Sequence, residues 1–315
     1  MFGKKVANPV GLASGPAPNY KWLEFFARLG YGIITYKTMR DRRWKGHDLP
    51  NLMHVKGDFT HHFVTSETVT GSITNSLGMP TPDPTSWKKD ARRVAREIGN
   101  RFFVMSVTAT VGEGEGEQEM MAQFSELALE GKRAGADAVE LNFSCPNVLP
   151  GEGGETFRDA RLSGRVVDAV RKSVGSSYPV FAKVGYLNDY TDFVEQTCDE
   201  RVGYVAINSV PSIVRNDSGE VLFRDRGGRA GICGAAIRDR AKRAVSNLVG
   251  LRRGSRHFEI AGLGGVLGTE DAVALMDCGA DVVESATGAL LDPCLALEVR
   301  LGLLKRQVEG RRRRP

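Results

Sequence analysis

Eight short apolar runs, spread along the chain and each followed by a helix-like segment, constrain this fold more than any other feature. The runs are NPVGLASG (8–15), YGIITYKT (31–38), RFFVMSVTA (101–109), AVELNFSC (138–145), PVFAKVG (179–185), YVAINSV (204–210), HFEIAGLGG (257–265) and DVVESATGA (281–289). They are near-continuous in apolar residues rather than alternating, the pattern of parallel strands covered on both faces. Between them lie amphipathic segments such as TSWKKDARRVAREIG, EQEMMAQFSELALEGKRAG, DARLSGRVVDAVRKSV and IRDRAKRAVSNLVGLRR. Several helices are expected to stop at a glycine, in LGYG, RAGAD and DCGAD, where a left-handed C-cap belongs. Eight such units predict an α/β fold, a closed (β/α)8 TIM barrel in one domain over 1–315, with an open doubly wound sheet as the alternative. Polar residues at the strand ends favour the barrel: Ser14, Lys37, Asn142 with Cys145, Lys183, Asn208 with Ser209, Gly264 with Gly265, and Thr287. A barrel aims all of these at one mouth, where active sites of such folds sit.

One connection breaks the rhythm. Residues 39–82, after the second strand, are too long for a simple loop and read as a lid over the mouth. Four of the five histidines (His47, His54, His61, His62) fall there, without cysteines or carboxylates at ligand spacing, so surface histidines are expected and no metal site.

Composition narrows the class without naming a function. A hydrophobic fraction of 41% and a charged fraction of 26% over 315 residues suit a soluble globular enzyme. No apolar run reaches a membrane span, and MFGKKVANPV lacks the core of a signal peptide. The five cysteines (145, 198, 233, 278 and 294) are odd in number and show no CxxC spacing, which points to reduced thiols in the cytoplasm. The net charge of +5 is mild, and the basic residues at 309–315 read as a solvated tail rather than a nucleic-acid patch. Neither nucleic acid nor membrane is an expected partner.

The chemistry gathers at the strand ends. Gly264 and Gly265, with the helix that follows, can bring backbone N–H groups to a phosphate, and the loops after strands seven and eight are the usual phosphate site of a barrel. Gly231 to Gly234 add a further wall; tight turns are the alternative use of these glycines. Lys37 and Lys183 end strands inside a barrel, a costly place for a cation unless it meets an anion. Schiff-base chemistry is the rival use of such lysines. In LNFSCPNV, Asn142 emerges at a strand end and Cys145 follows on the loop. The other four cysteines lie in helical or apolar contexts typical of small buried hydrophobes. Asparagines 75, 142, 147 and 208 supply neutral donors and acceptors matched to imide and amide edges. A thiol among them reads as a nucleophile or a base.

Taken together, LASG (12–15), NSLGMP (75–80), LNFSCPN (141–147), GLGG (262–265) and ESATGA (284–289) resemble the dihydroorotate dehydrogenases, specifically the soluble class with a cysteine base. The resemblance implies FMN across the barrel mouth, held by Ala13, Ser14, Gly15, Lys37, Thr38, Asn142, Lys183, Ile207, Gly234, Gly264, Gly265, Ala286 and Thr287. It implies a dihydroorotate site formed by Lys37, Asn75, Leu77, Gly78, Met79, Asn142, Asn147, Asn208 and Ser209, with the Gly78 and Met79 backbone holding the carboxylate. Cys145 would take the C5 proton, with Lys37 nearby, while hydride passes from C6 to flavin N5. The sequence departs from the family pattern at Cys233, where a small residue is usual, and at Glu284 and Ser285, in place of glutamine and an aliphatic residue.

Three alternatives remain at this point: a dihydropyrimidine dehydrogenase-type flavin barrel acting on uracil-like rings, a flavin-free Schiff-base lyase or isomerase, and a non-catalytic flavoprotein serving as a binding or electron-relay module. The electron acceptor is also open. PGEGGETF resembles a type partnered by an iron–sulfur flavoprotein subunit that passes electrons to NAD, and GSITNSLGMP resembles a self-sufficient homodimer using fumarate.

Overall fold

All eight apolar runs contribute a parallel strand to one closed sheet. The computed structural model describes residues 1–112, 114–144, 155–252 and 257–312. In chain order, β1 (Val10–Leu12) and α1 (Tyr20–Arg28) lead to β2 (Ile33–Met39). Then come β3 (Leu52–Gly57), β4 (Phe63–Ser66) and β5 (Ser72–Asn75), followed by α2 (Pro84–Glu97). Strand–helix alternation resumes with β6 (Phe102–Val107), α3 (Glu117–Arg133), β7 (Ala138–Asn142), α4 (Ala160–Val174), β8 (Val180–Val184), α5 (Thr191–Thr197) and β9 (Val202–Ala206). Next are β10 (Val210–Arg215), β11 (Arg229–Gly234) and α6 (Arg238–Gly250). The last elements are β12 (Ile260–Leu263), α7 (Thr269–Asp277), β13 (Val282–Ser285), α8 (Thr287–Leu291) and α9 (Leu295–Arg312). The barrel closes in the order β1–β13–β12–β9–β8–β7–β6–β2, and β2 pairs back onto β1.

Local chemistry sets the helix ends where the sequence marks them. Asp83 accepts from the Thr85 and Ser86 amides ahead of Pro84, and Asp159 accepts from the Leu162 amide, so α2 and α4 begin on side-chain caps. After α1, α3 and α7 the glycines of LGYG, RAGAD and DCGAD, namely Gly30, Gly135 and Gly279, take φ of +95°, +91° and +102°. A side chain there would cost roughly 1–2 kcal/mol.

The barrel interior changes character along its length. Ile33, Phe102, Val104, Ala138, Phe181, Val205, Ala261 and Val282 fill its lower part. Because strand residues two apart share a face, the next inward positions can be read directly from the sequence. Ser106 follows Val104, Glu140 follows Ala138, Lys183 follows Phe181 and Glu284 follows Val282, and all four are buried. An apolar plug thus carries a charged layer immediately below the mouth. Outside the sheet a second apolar layer, including Leu23, Phe26, Val94, Phe124, Val170 and Leu248, seals the helices onto the strands.

The 39–82 excursion is not a bare lid. Its β3, β4 and β5 join β10 and β11 in a second closed sheet, ordered β10–β11–β5–β3–β4. The expected sixth strand, 204–210, is therefore divided: β9 ends at Ala206, the Ala206–Ile207 peptide is cis, and Val210 already belongs to the second sheet. The strands β10 and β11 went unforeseen because their partners are distant in sequence, as in Gly231 opposite Asn75. The expectation of surface histidines holds for His61 and His62. It fails for His47 and His54, which are half-buried; the His47 ring lies against Gly78, with Nδ1 2.9 Å from the Ser76 carbonyl oxygen.

Candidate active site at the barrel mouth

The strand ends and the second sheet enclose a cleft with two lobes. The deeper lobe lies against β12, β13 and the start of α8; the outer lobe, a cavity of about 230 Å³, lies beneath β5 and the 77–79 turn. The lobes share Ser14, Asn208, Ser209, Cys233, Ala286 and Thr287, so they adjoin along these residues.

In the outer lobe amide side chains are fixed from several elements. Asn142, at the end of β7, donates from Nδ2 to Thr38 Oγ1 (3.0 Å), and its Oδ1 accepts from the Ser144 amide (3.2 Å). Thr38 Oγ1 lies 2.9 Å from Ser106 Oγ, which ties β2, β6 and β7 together. Asn208 Nδ2 donates to the Ser144 carbonyl at 3.1 Å. Asn75 Nδ2 donates to Cys233 Sγ at 3.2 Å. The roof turn holds two successive residues at positive φ, Gly78 (+67°) and Met79 (+51°). The fully buried Arg40 supports this turn, donating to Thr110 Oγ1 (2.8 Å), reaching the Gly78 carbonyl (3.5 Å) and lying over the Trp44 ring. Lys37, buried on β2, lines the same lobe.

The deeper lobe rests on the charged layer. Lys183 Nζ donates to Ser14 Oγ (2.7 Å) and lies 3.7 Å from Glu140 Oε1. That oxygen also accepts from Ser14 Oγ (2.7 Å) and Ser106 Oγ (2.6 Å). Glu284, wholly buried on β13, lines the lobe beside them. Burial, with the Glu140 charge beside it, pushes its carboxyl up to about 8 against the opposing charge of Lys183. Gly11 makes room for it, since a Cβ there would stand 3.0 Å from Glu284 Cγ. At the far wall Gly234, Gly264 and Gly265 take φ of +81°, +125° and +78°. Their glycine character is required by packing alone: a Cβ at Gly265 would fall 2.3 Å from Arg238 Cγ, and one at Gly234 2.1 Å from the Gly71 carbonyl oxygen. The tight-turn reading of these residues therefore stands together with their exposure of backbone to the lobe.

The residues singled out from sequence meet here. Ala13, Ser14, Gly15, Lys37, Thr38, Asn75, Leu77, Gly78, Met79, Asn142, Lys183, Ile207, Asn208, Ser209, Gly234, Gly264, Gly265, Ala286 and Thr287 all line one lobe or both. Cys145 and Asn147 lie outside the described residues. Sequence reasoning passed over Glu140 as a site residue, although its position two before Asn142 signals a shared face. It also grouped Cys233 with the small buried hydrophobes, whereas Cys233 is half-buried in the cleft wall and Cys294 is exposed. The Asn75 contact that reveals Cys233 crosses between β5 and β11, which no local pattern shows.

Comparison with known proteins agrees with this cleft. The dihydroorotate dehydrogenase family model matches residues 1–306, and the chain belongs to that family. A dihydroorotate dehydrogenase of Dictyostelium discoideum is 28% identical over 95% of this chain and 86% of its own length. The NAD-dependent dihydropyrimidine dehydrogenase subunit PreA of Escherichia coli is 26% identical over 91% and 67%. The fold matches that of a dihydroorotate dehydrogenase from Eimeria tenella solved with ferulenol, with a TM-score of 0.75 at 17% identity over 98% of this chain and 86% of that one. The chain is an FMN-dependent oxidoreductase, as members of the family are. The cleft suits that cofactor: it offers glycine backbone and a helix start at its deep end, hydroxyl and amide donors on one wall, and two buried lysines. The flavin-free Schiff-base alternative is overturned by the family membership.

Proposed function

We propose that this chain oxidises dihydroorotate to orotate, with Cys145 as the base that removes the C5 proton. The observation that carries the reading is the outer lobe: three asparagines, Ser209 and the buried Lys37 beneath a roof turn of two positive-φ residues. Amide side chains of this kind complement both edges of a dihydropyrimidine ring. Lys37 and the Gly78–Met79 backbone provide the cation and amides that a ring carboxylate requires. Ser144, the residue before Cys145, is buried and holds Asn208 through its carbonyl.

In this reading Asn75, Leu77, Asn142, Asn147, Asn208 and Ser209 orient the ring, and Lys37 draws its carboxylate into place. The Cys145 thiolate receives the proton from C5. FMN, when bound, supplies the hydride acceptor. Ala13, Ser14, Gly15, Thr38 and Ile207 shape its wall, Lys183 faces its polar edge, and Gly234, Gly264, Gly265, Ala286 and Thr287 receive the phosphate. The protein is read as cytoplasmic, acting on a small molecule. Its electrons pass either to fumarate, in a homodimer, or to NAD through an iron–sulfur flavoprotein subunit.

A second reading is favoured by the PreA relative, a dihydropyrimidine dehydrogenase subunit by name: the same lobe takes uracil. Titrating orotate and uracil separately into the yellow protein and following the flavin spectrum separates the two. Orotate is expected to perturb the spectrum and uracil not; the reverse would overturn the proposal. Cys145→Ser should retain FMN and slow flavin reduction by dihydroorotate at least about a hundredfold near neutral pH. Unchanged kinetics would remove Cys145 from the mechanism.

A further inference from the structure

The last helix of the barrel is apolar on two opposite faces, and among the described residues one is buried and the other exposed. Leu295, Ala296 and Val299 are buried against the barrel, whereas Leu297, Leu301, Leu304 and Val308 are 47–58% exposed. Spacings of four, three and four residues place those four side chains in one stripe along α9. Asn8 Nδ2 donates to the Gly30 carbonyl, just past α1, and to the Ala296 carbonyl, on α9, which ties the end of α1 to the start of α9. On α1, Trp22 (49%) and Phe25 (40%) are exposed, packed edge to face with each other. An exposed apolar stripe of this length marks a docking face.

Charge identifies what docks there. Residues 295–315 hold seven Lys and Arg against two Glu, a surplus of five that equals the net charge of the whole chain. The preceding 294 residues are balanced, so the entire excess positive charge lies on this helix and its last residues. A second copy would bring the same charge against itself, which disfavours self-pairing. Nucleic acid would satisfy the arginines but leave the leucines in water. An anionic lipid surface satisfies both.

We propose that α9, with the exposed rings of α1, seats this enzyme in the plane of an anionic membrane surface, with Leu297, Leu301, Leu304 and Val308 in the acyl boundary and the arginines among lipid headgroups. No helix among the described residues is long and apolar enough to cross a membrane, so the association is peripheral and reversible. The basic residues at 309–315, expected from sequence to be a solvated tail, become its electrostatic half. Leu290, also exposed, lines the outer lobe of the cleft. The proposal is independent of which pyrimidine the cleft takes.

The test is co-flotation of the FMN-loaded full chain with vesicles of phosphatidylcholine alone, or of phosphatidylcholine with phosphatidylglycerol. Binding to the anionic vesicles only, weakening as salt is raised, is expected. Replacing arginines 311–314 by glutamine should weaken partition at least about a hundredfold. The double variant Leu301→Glu/Leu304→Glu should abolish it, with flavin content and activity towards dihydroorotate in solution unchanged. Three outcomes would overturn the proposal. One is no binding to anionic vesicles. Another is binding that survives the leucine changes. The third is a dimer in lipid-free solution that the leucine changes convert to monomer, which assigns the face to a second copy.

Discussion

Lys183 and Glu140 form an ion pair inside the barrel, Nζ 3.7 Å from Oε1, and Ser14 bridges them by accepting from the lysine and donating to the glutamate. Both side chains are at most 2% exposed, so neither charge is relieved by water. Breaking such a pair by removing one partner costs about 3–5 kcal/mol, because the survivor is stranded in a low-dielectric site. Lys183→Met should destabilise the fold by about that amount, read from the denaturant midpoint. It should also weaken FMN binding, since the lysine lines the deep lobe. The double variant Lys183→Met/Glu140→Gln should recover most of the stability without recovering FMN affinity. Stability equal to wild type in the single variant would show that the pair contributes nothing.

Glu284 adds a third ionisable group to that layer, and its sign is opposite to that of an ordinary surface carboxylate. Its carboxyl is pushed up to about 8 by burial and by Glu140, against the Lys183 charge, from an ordinary 4.5. The folded state therefore keeps a proton that the unfolded chain has released between those two values. Its contribution is fully present below about pH 4.5 and is lost as pH rises through about 8. Wild type should lose stability between about pH 6 and about pH 9, and Glu284→Gln, which keeps the shape but cannot ionise, should lose less. Urea denaturation of both proteins at the two pH values measures the difference. Parallel pH profiles would mean that Glu284 does not carry the proton.

How far these features could be read from sequence depends on whether each one is local. The eight barrel strands were legible because near-continuous apolar runs and C′ glycines such as Gly30, Gly135 and Gly279 are written within a few residues of the elements they define. Charged residues at inward positions were legible in part: Lys37 and Lys183 stood out as lysines at strand ends, and Glu284 as a departure. The second sheet was not legible. Its pairings join β5 to β11 across more than 150 residues, as at Asn75 and Cys233, and a short strand such as RAGICG has no period of its own to reveal a distant partner. For the same reason the Lys183–Glu140 pairing could not be anticipated from two separate strands, although each residue's inward face could.

The 77–79 turn makes a prediction about the roof. Arg40 is fully buried, and its guanidinium joins Thr110, the Gly78 carbonyl and the Trp44 ring. Lysine cannot reproduce that planar, multi-donor geometry. Arg40→Lys should loosen the turn, raising KM for the pyrimidine acid by roughly tenfold (~1.4 kcal/mol) while leaving FMN bound. Steady-state kinetics with flavin occupancy measured on the same sample checks this. An unchanged KM would mean that the turn is held by its own backbone.

Gly231 lies against Ser209 behind the cleft wall. A Cβ at position 231 would stand 2.3 Å from Ser209 Oγ and 2.7 Å from Ser209 Cβ, closer than real Cβ contacts come. Gly231 sits on β11 directly opposite Asn75 of β5, and Ser209 lines both lobes. Gly231→Ala must therefore push either the β11 backbone or the Ser209 loop, and overpacking of this kind costs about 1–3 kcal/mol. Ser209 moves more readily than a strand paired on both sides, so the substrate lobe should absorb the strain. Affinity for orotate, followed through the flavin spectrum, should fall on the order of tenfold with FMN content unchanged. Adding Ser209→Gly removes the clashing atoms and should restore the fold's stability, but not the hydrogen bond that Ser209 offers the ring. If Gly231→Ala alone leaves orotate affinity intact, the strain is taken up in the second sheet, and Ser209 is not the ligand that the site requires.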